Sequence, residues 1–243
     1  MCSIATICVT ALGAGSAAAA QPELGRCLGL TNGAFRSATC MKSGAGHFEW
    51  FPAFGAENPI VGTGLSWSAS AVQFRWGRSG FKCSNGALAG DYSGVRSAEL
   101  GVLTLTGCIA VKSISTCQTP GLAAGEIRTA PLEGTYGDWA ERGKHGVEID
   151  LVPASVGAAF AEFLCGARWV IHGSVMVVVP AGKMLATAAL KAAHASEGQS
   201  PHESTDGTTA RLTVSLGEQP PKPAVLKAKI TQKSEEAVEL LEG

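Results

Sequence analysis

Residues Cys83 to Cys117 read CSNGALAGDYSGVRSAELGVLTLTGCIAVKSISTC, and this stretch decides the expected fold. At its centre, the run Val102 to Thr106 is rich in the residues that favour strands, and Gly101 and Gly107 bound it. Three of the chain's eight cysteines lie in the same stretch. The pattern predicts a buried strand between turns, with cysteines near its ends placed to bond neighbouring segments.

The composition of the whole chain favours the same class of fold. The 243 residues are 46% hydrophobic, which is enough for one substantial core, and 31 glycines beside only 2 tyrosines favour tight turns over long helices. We therefore expect an all-β, antiparallel sandwich or barrel. The formal net charge is −1 and only 16% of residues are charged, so the chain lacks a basic surface for phosphates and nucleic acid is not an expected partner.

The N-terminus has the pattern of an export signal. An apolar run from Ile4 to Leu12 leads into the small residues Ser16 to Ala20, although no basic residue precedes Arg26. We predict a signal peptide at 1–20, cleaved after Ala20, and a single secreted or cell-envelope domain at 21–243; the alternative is a short buried apolar segment. Later stretches fall short of the roughly 18 unbroken apolar residues of a membrane helix, so we expect no transmembrane segment in the mature chain.

Removal of such a signal leaves an even number of cysteines, which predicts disulfides in an oxidising compartment. A zinc site is not expected, because paired ligands such as Cys-x-x-Cys are missing from the sequence. The short loop favours a bond between Cys27 and Cys40, while six cysteines allow about 15 pairings and sequence alone does not choose among those of the other four. The predicted disulfide-forming residues are Cys27, Cys40, Cys83, Cys108, Cys117 and Cys165.

Several further segments read as strands, and two read differently. Val147 to Val152 alternates apolar and charged residues, as a half-buried strand does, and Phe160 to Cys165 with Trp169 to Val179 predicts a core hairpin. Lys183 to Ala195 is rich in alanine and predicts a short helix near 183–195. Ser234 to Glu242 also begins like a helix.

Short motifs follow one another along the mature chain in the order Cys27, Cys40, Phe48-Glu49-Trp50, Cys83, Gly90-Asp91-Tyr92-Ser93-Gly94, Leu105-Thr106-Gly107-Cys108, Gly125-Glu126-Ile127, Phe163-Leu164-Cys165, Gly173-Ser174-Val175 and Lys183-Met184. This succession resembles a group of uncharacterised secreted proteins from actinobacteria. The resemblance implies export and a six-cysteine, β-rich domain, and it brings no assigned activity.

A search for catalytic signatures finds none, so we expect no catalytic residue, metal or cofactor. The nearest approach to a nucleophile elbow, Gly64 to Ser68, lacks the second glycine. The five histidines are dispersed, and none has the spacing of a metal-binding helix. Glu148 and Asp150 would project from the same face of a strand, as a glycosidase pair can, but a solvated strand face is the simpler interpretation.

One polar stretch stands out as a binding candidate. Trp139 lies among Tyr136, Asp138, Glu141 and Arg142, and we predict an exposed loop in which the indole stacks on a sugar while the polar side chains bond hydroxyl groups. The alternative is a core aromatic. We expect a non-catalytic extracellular or envelope module that binds a cell-wall polymer or carbohydrate. A secreted hydrolase with a dispersed site and a barrel for a small apolar ligand are the alternatives.

Overall fold

The computed structural model describes residues 21–52, 63–141, 144–193, 203–204, 212–217 and 219–241. The predicted signal at 1–20 lies outside these residues. Those described form sixteen strands and no helix. The strands are β1 Glu23–Phe35, β2 Ser43–Pro52, β3 Gly64–Trp76, β4 Ser79–Tyr92, β5 Ser97–Thr106, β6 Ile109–Ala110, β7 Ile127–Glu141, β8 Lys144–Pro153, β9 Ala161–Leu164, β10 Arg168–His172, β11 Val175–Val179, β12 Leu185–Ala193, β13 Glu203–Ser204, β14 Thr213–Leu216, β15 Lys222–Pro223 and β16 Val225–Leu241.

Eight of these strands pair in a closed circuit. The order is β3-β4-β5-β7-β8-β11-β12-β16, and β16 pairs again with β3. Every pair in the circuit is antiparallel, and neighbours in space follow each other along the chain, as in an up-and-down barrel. The expected all-β, antiparallel fold is confirmed, and the circuit favours the barrel over the sandwich.

Alternation along each strand places the core inside the circuit. On β3, Leu65 and Trp67 are buried while Ser66 and Ser68 are exposed. Eight strands enclose a space that side chains can fill. Within this space an apolar cavity of about 30 Å³ is left between residues such as Val177 and Ile230.

Two smaller units are attached to the barrel. The hairpin of β1 and β2 pairs with β16 through Glu23–Gly25. Strands β9, β10, β14 and β15 form a side sheet, and ring contacts at 4.8 Å join it to the barrel, between Phe163 and Phe81 and between Trp169 and Trp76.

The described residues form three disulfides, which indicate an oxidising environment. The bond between Cys27 and Cys40, which the short loop favoured, closes the turn of the N-terminal hairpin. The other four cysteines pair as Cys83 with Cys108 and Cys117 with Cys165.

The helix predicted near 183–195 is wrong for its described part. Leu185–Ala193 is strand β12, which pairs with β16 over most of its length. Ala188, Leu190 and Ala192 are buried and Ala189 is exposed, so the segment has the period of a strand, and pairing overrides the helix preference of alanine. The helix-like start at Ser234 likewise lies within β16.

The predicted core hairpin is divided between two units. Strands β9 and β10 do form a hairpin around Gly166, but β11 leaves it and joins the barrel wall beside β8. Helices long and apolar enough to cross a membrane do not occur among the residues that the structure describes.

Candidate functional site

The tryptophan predicted to bind carbohydrate lies in a strand. Trp139 and Asp138 are half-buried in β7, and Tyr136 is buried with 3% of its surface exposed. Tyr136 and Trp139 are three residues apart and therefore face opposite sides of the sheet. The polar loop is thus a wrong prediction, and Tyr136 cannot widen a platform at Trp139. Arg142 lies outside the described residues.

Trp139 instead packs against a neighbouring strand. It is opposite Gly146 of β8, and a Cβ atom added to Gly146 would lie 3.1 Å from the indole nitrogen. The small residue makes room for the ring, so this tryptophan covers the outer face of β8.

Glu148 on β8 is not solvated, contrary to the expectation, while Asp150 on the same face is half-buried. Glu148 has 1% of its surface exposed, and neither carboxylate oxygen has a hydrogen-bond partner among the described residues. Burial, with a further contribution from the charge of Asp150, raises the pKa of Glu148 to about 8. Because Glu148 is out of reach of solvent, the two carboxyl groups do not form an open glycosidase site.

A second carboxyl group, that of Glu239 on β16, is buried in the same way. Glu239 is also 1% exposed, and within the described part of the chain its oxygens lack hydrogen-bond partners. Burial raises the pKa of Glu239 to about 7.

The barrel interior contains a chain of hydrogen bonds rather than a ligand cavity. The indole N–H of Trp67 donates to Gln232 at 3.0 Å, and the amide of Gln232 donates to the Tyr92 hydroxyl at 3.0 Å. That hydroxyl also bonds Ser234 at 2.9 Å and contacts buried Tyr136. Burial raises the pKa of both tyrosines.

The space left inside the barrel is small. A cavity of about 20 Å³ adjoins the tyrosines, beside the apolar one of about 30 Å³. Binding sites for small molecules usually have several hundred Å³. Each of these two cavities is smaller than such a site.

A large concavity lies on the outside of the barrel. It has a volume of about 810 Å³ and crosses strands β5, β4, β3 and β16; a second concavity of about 490 Å³ adjoins it. We call the larger one the outer groove. Its lining is Gly64, Leu65, Ser66, Ala89, Gly90, Asp91, Glu99, Leu100, Gly101, Lys233, Ser234 and Glu235.

Glycines and irregular pairing form the floor of the outer groove. The register of β4 with β5 shifts between Ala87 and Gly90, and that of β5 with β7 shifts next to Gly101. A Cβ atom on Gly90 would lie 2.2 Å from the carbonyl oxygen of Glu99, so only glycine fits there. Such bulges bend a strand and re-aim its side chains.

The outer groove is acidic at one end. Asp91 and Glu99 are directly opposite each other on β4 and β5, and Glu133 of β7 is opposite Glu99 in the same row. All three are exposed, and none forms an ion pair within the described part of the chain. Like charges in this position repel each other.

The two charged residues from β16 complete the outer groove. Glu235 accepts a hydrogen bond from the backbone N–H of Gly64 at 3.2 Å, and Lys233 is exposed in the neighbouring row. With Asp91 and Glu99 they give the lining three carboxylates and one ammonium group. The resulting charge attracts cationic groups, and the hydroxyl of Ser66 adds a hydrogen-bonding group.

The outer groove does not contain a serine–histidine pair. Ser66 lies in it, but no histidine is among its lining residues. Clusters of three or more metal-binding side chains do not occur among the described residues.

The sequence interpretation did not find the outer groove. Asp91 and Lys233 are far apart along the chain, and only the pairing of β4, β3 and β16 brings them together. The one local signal was Gly90 beside Asp91, in a segment otherwise readable as a strand. Comparison of the chain with protein-family models, with curated proteins and with solved structures finds no match in any of the three.

Proposed function

We propose that the protein is an exported, non-catalytic module that binds a cationic, extended peptide segment of a partner in the outer groove. The observation that carries the proposal is the groove itself: its volume is about 810 Å³, while the cavities of the interior are about 20 and 30 Å³. A rigid barrel wall is a suitable scaffold for a surface site.

Charge and shape support this class of partner. The carboxylates of Asp91 and Glu99 lack ion-pair partners in the described chain, so lysine or arginine side chains would complement them. Small residues such as Ala89 leave the floor accessible to a backbone. The lining contains no aromatic ring, which argues for a peptide over the stacked sugar of the first hypothesis.

A labelled decalysine peptide tests the groove by fluorescence anisotropy. We expect binding that weakens with added salt, and about a tenfold loss of affinity in the double variant Asp91→Asn with Glu99→Gln, since each exposed charge pair contributes up to about 1 kcal/mol. Ala89→Phe should also weaken binding because the ring fills the groove. Glu133→Gln is the matched control, an acid of the same row outside the groove lining.

The proposal fails if decalysine does not bind, or if the double variant binds as the wild type does. Decaglutamate and neutral and amine-bearing oligosaccharides serve as competitors. Displacement by a neutral oligosaccharide as effective as unlabelled decalysine would assign the surface to carbohydrate instead.

Export has its own test. The apolar run before Ala20 and the three disulfides support a signal and an oxidising destination. Expression of the chain with its first twenty residues in a secreting host should yield a product that begins at Gln21. A product retained inside the cell with its N-terminus intact would contradict export.

A further inference from the structure

The N-terminal hairpin of β1 and β2 is held on the barrel by a short junction. Among the described residues, three pairs join β1 to β16, with Leu24 opposite Leu240 and Gly25 opposite Glu239. Leu24 is fully buried, and its backbone N–H donates to the carbonyl of Val95 at 2.7 Å. Two contacts of the next residues of β1 add to the junction: Arg26 forms an ion pair with Glu236, and the backbone N–H of Cys27 donates to the sulfur of Met184 at 3.3 Å.

Glu239 is buried within this junction. Its register partner is Gly25, and the indole of Trp50 covers Gly25 so closely that a Cβ atom there would lie 2.2 Å from the ring. Trp50 is opposite Cys27, two residues from Gly25, and so faces the same side of the sheet as Glu239. The ring occupies the place beside Glu239 that a side chain at residue 25 would take.

The charged groups around the junction do not neutralise Glu239. They are Glu23 and Arg26 on β1, Glu49 on β2, Lys183 before β12, and Glu235 and Glu236 on β16. Arg26 forms an ion pair with Glu236, and Glu49 accepts a hydrogen bond from the backbone of Ala34 at 2.8 Å. None of them bonds Glu239, whose two oxygens have no hydrogen-bond partner in the ranges that the structure describes.

We propose that the N-terminal hairpin is a pH-responsive element, which docks on the barrel while Glu239 is protonated and detaches when Glu239 ionises. An ionised carboxylate in this position would be a buried charge without a partner, which is far less favourable than a solvated one. Detachment solvates the group. The bond between Cys27 and Cys40 closes the turn of the hairpin and keeps it folded in the detached state.

The direction of the effect follows from linkage. Burial raises the pKa of Glu239 from 4.5 to about 7 in the docked state, so docking is strongest below pH 4.5 and weakens as the pH rises through 7. Between pH 5.5 and 8.5 these two values give a fall of about 30-fold in the docking equilibrium. The switch would operate near neutral pH and is independent of ligand binding in the outer groove.

Amide hydrogen exchange tests the switch, with rates corrected for the intrinsic effect of pH. We expect the protection of the Leu24 amide to fall about 30-fold between pH 5.5 and 8.5 in the wild type and to stay constant in Glu239→Gln. The barrel amide of Phe74, which exchanges by global unfolding, should be better protected than the Leu24 amide at both pH values. Glu148→Gln is the matched control, because it removes a buried carboxyl group away from the junction and should leave the change at Leu24 intact.

Three results would overturn the proposal. The first is protection of the Leu24 amide that does not depend on pH in the wild type. The second is a fall in this protection that is as large in Glu239→Gln as in the wild type. The third is protection of the Leu24 amide equal to that of the Phe74 amide, which would mean that Leu24 exchanges only by global unfolding. If Glu239→Gln does not fold, the ¹³C resonance of the Glu239 carboxyl in the wild type decides, since a midpoint near 4.5 would exclude the switch.

Discussion

Glu148 provides the sharpest test of how this barrel responds to pH. Its carboxyl group is buried in the barrel wall without a hydrogen-bond partner, and burial together with Asp150 raises its pKa from 4.5 to about 8. The folded protein therefore keeps the proton over a range in which the unfolded chain has lost it. The perturbation is Glu148→Gln, which keeps the shape of the side chain and removes the titration.

The sign and size of the effect follow from these two pKa values. Between pH 4.5 and 8 the unfolded state binds fewer protons than the native state, so the free energy of unfolding falls as the pH rises and levels off above about 8. Between pH 5.5 and 8.5 the contribution of Glu148 alone is about 3 kcal/mol. Ionisation of Glu239 lowers the free energy of unfolding further over the same range, and the variant Glu148→Gln keeps this contribution.

Urea unfolding at pH 5.5 and 8.5 measures the difference between the two proteins. We expect the free energy of unfolding to fall by about 3 kcal/mol more in the wild type than in Glu148→Gln over this interval. Glu133→Gln, which removes an exposed carboxyl group, should lose as much as the wild type. Equal pH dependence in the wild type and Glu148→Gln would refute the reasoning and would mean that the carboxyl is hydrated in solution.

Three further changes test the barrel. Gln232→Leu should lower the free energy of unfolding by about 2–4 kcal/mol in urea melts, because it leaves a buried indole N–H and a phenol without their partner; no change would show that water replaces the amide. Replacing Cys83 and Cys108 together by serine should cost about 3 kcal/mol, as the bond closes a loop over a separation of 25 residues, and an unchanged melting temperature would argue against its native formation. Glu99→Gln should raise stability by about 0.5–1 kcal/mol by relieving repulsion from the carboxylates on either side, an effect that 1 M salt should mask; a loss of stability at low salt would contradict the described register.

The sequence predicted which residues alternate along a strand, but it did not predict which faces of the strands are buried. The alternation of Val147 to Val152 correctly predicted β8, with Ile149 on the buried face. The same pattern suggested that Glu148 would be solvated, and this was wrong because Glu148 has only 1% of its surface exposed; on the same face of β8, Trp139 packs over Gly146. Burial of a side chain depends on the layer above it, which local periodicity does not report.

The alanine-rich segment at β12 was wrongly predicted to be a helix, for a different reason. Alanine favours helix in isolation, and Lys183 to Ala195 contains little else to oppose that preference. The segment becomes a strand because β16 is available to pair with it and because Ala188 and Ala192 fit the barrel interior. An intrinsic preference of a few tenths of a kcal/mol per residue yields to backbone pairing and burial.

The amino-acid sequence by itself determined the all-β class and the presence of disulfides, because both follow from local composition and the number of cysteines. Only the tertiary structure decided the partners of Cys83 and Cys117, the closure of the barrel and the outer groove. Asp91 meets Glu99 across one hairpin, but Lys233 and Glu235 reach the same groove only through the pairing of β16 with β3. A site of this kind is set by the register between strands distant along the chain, and register is a property of the assembled sheet.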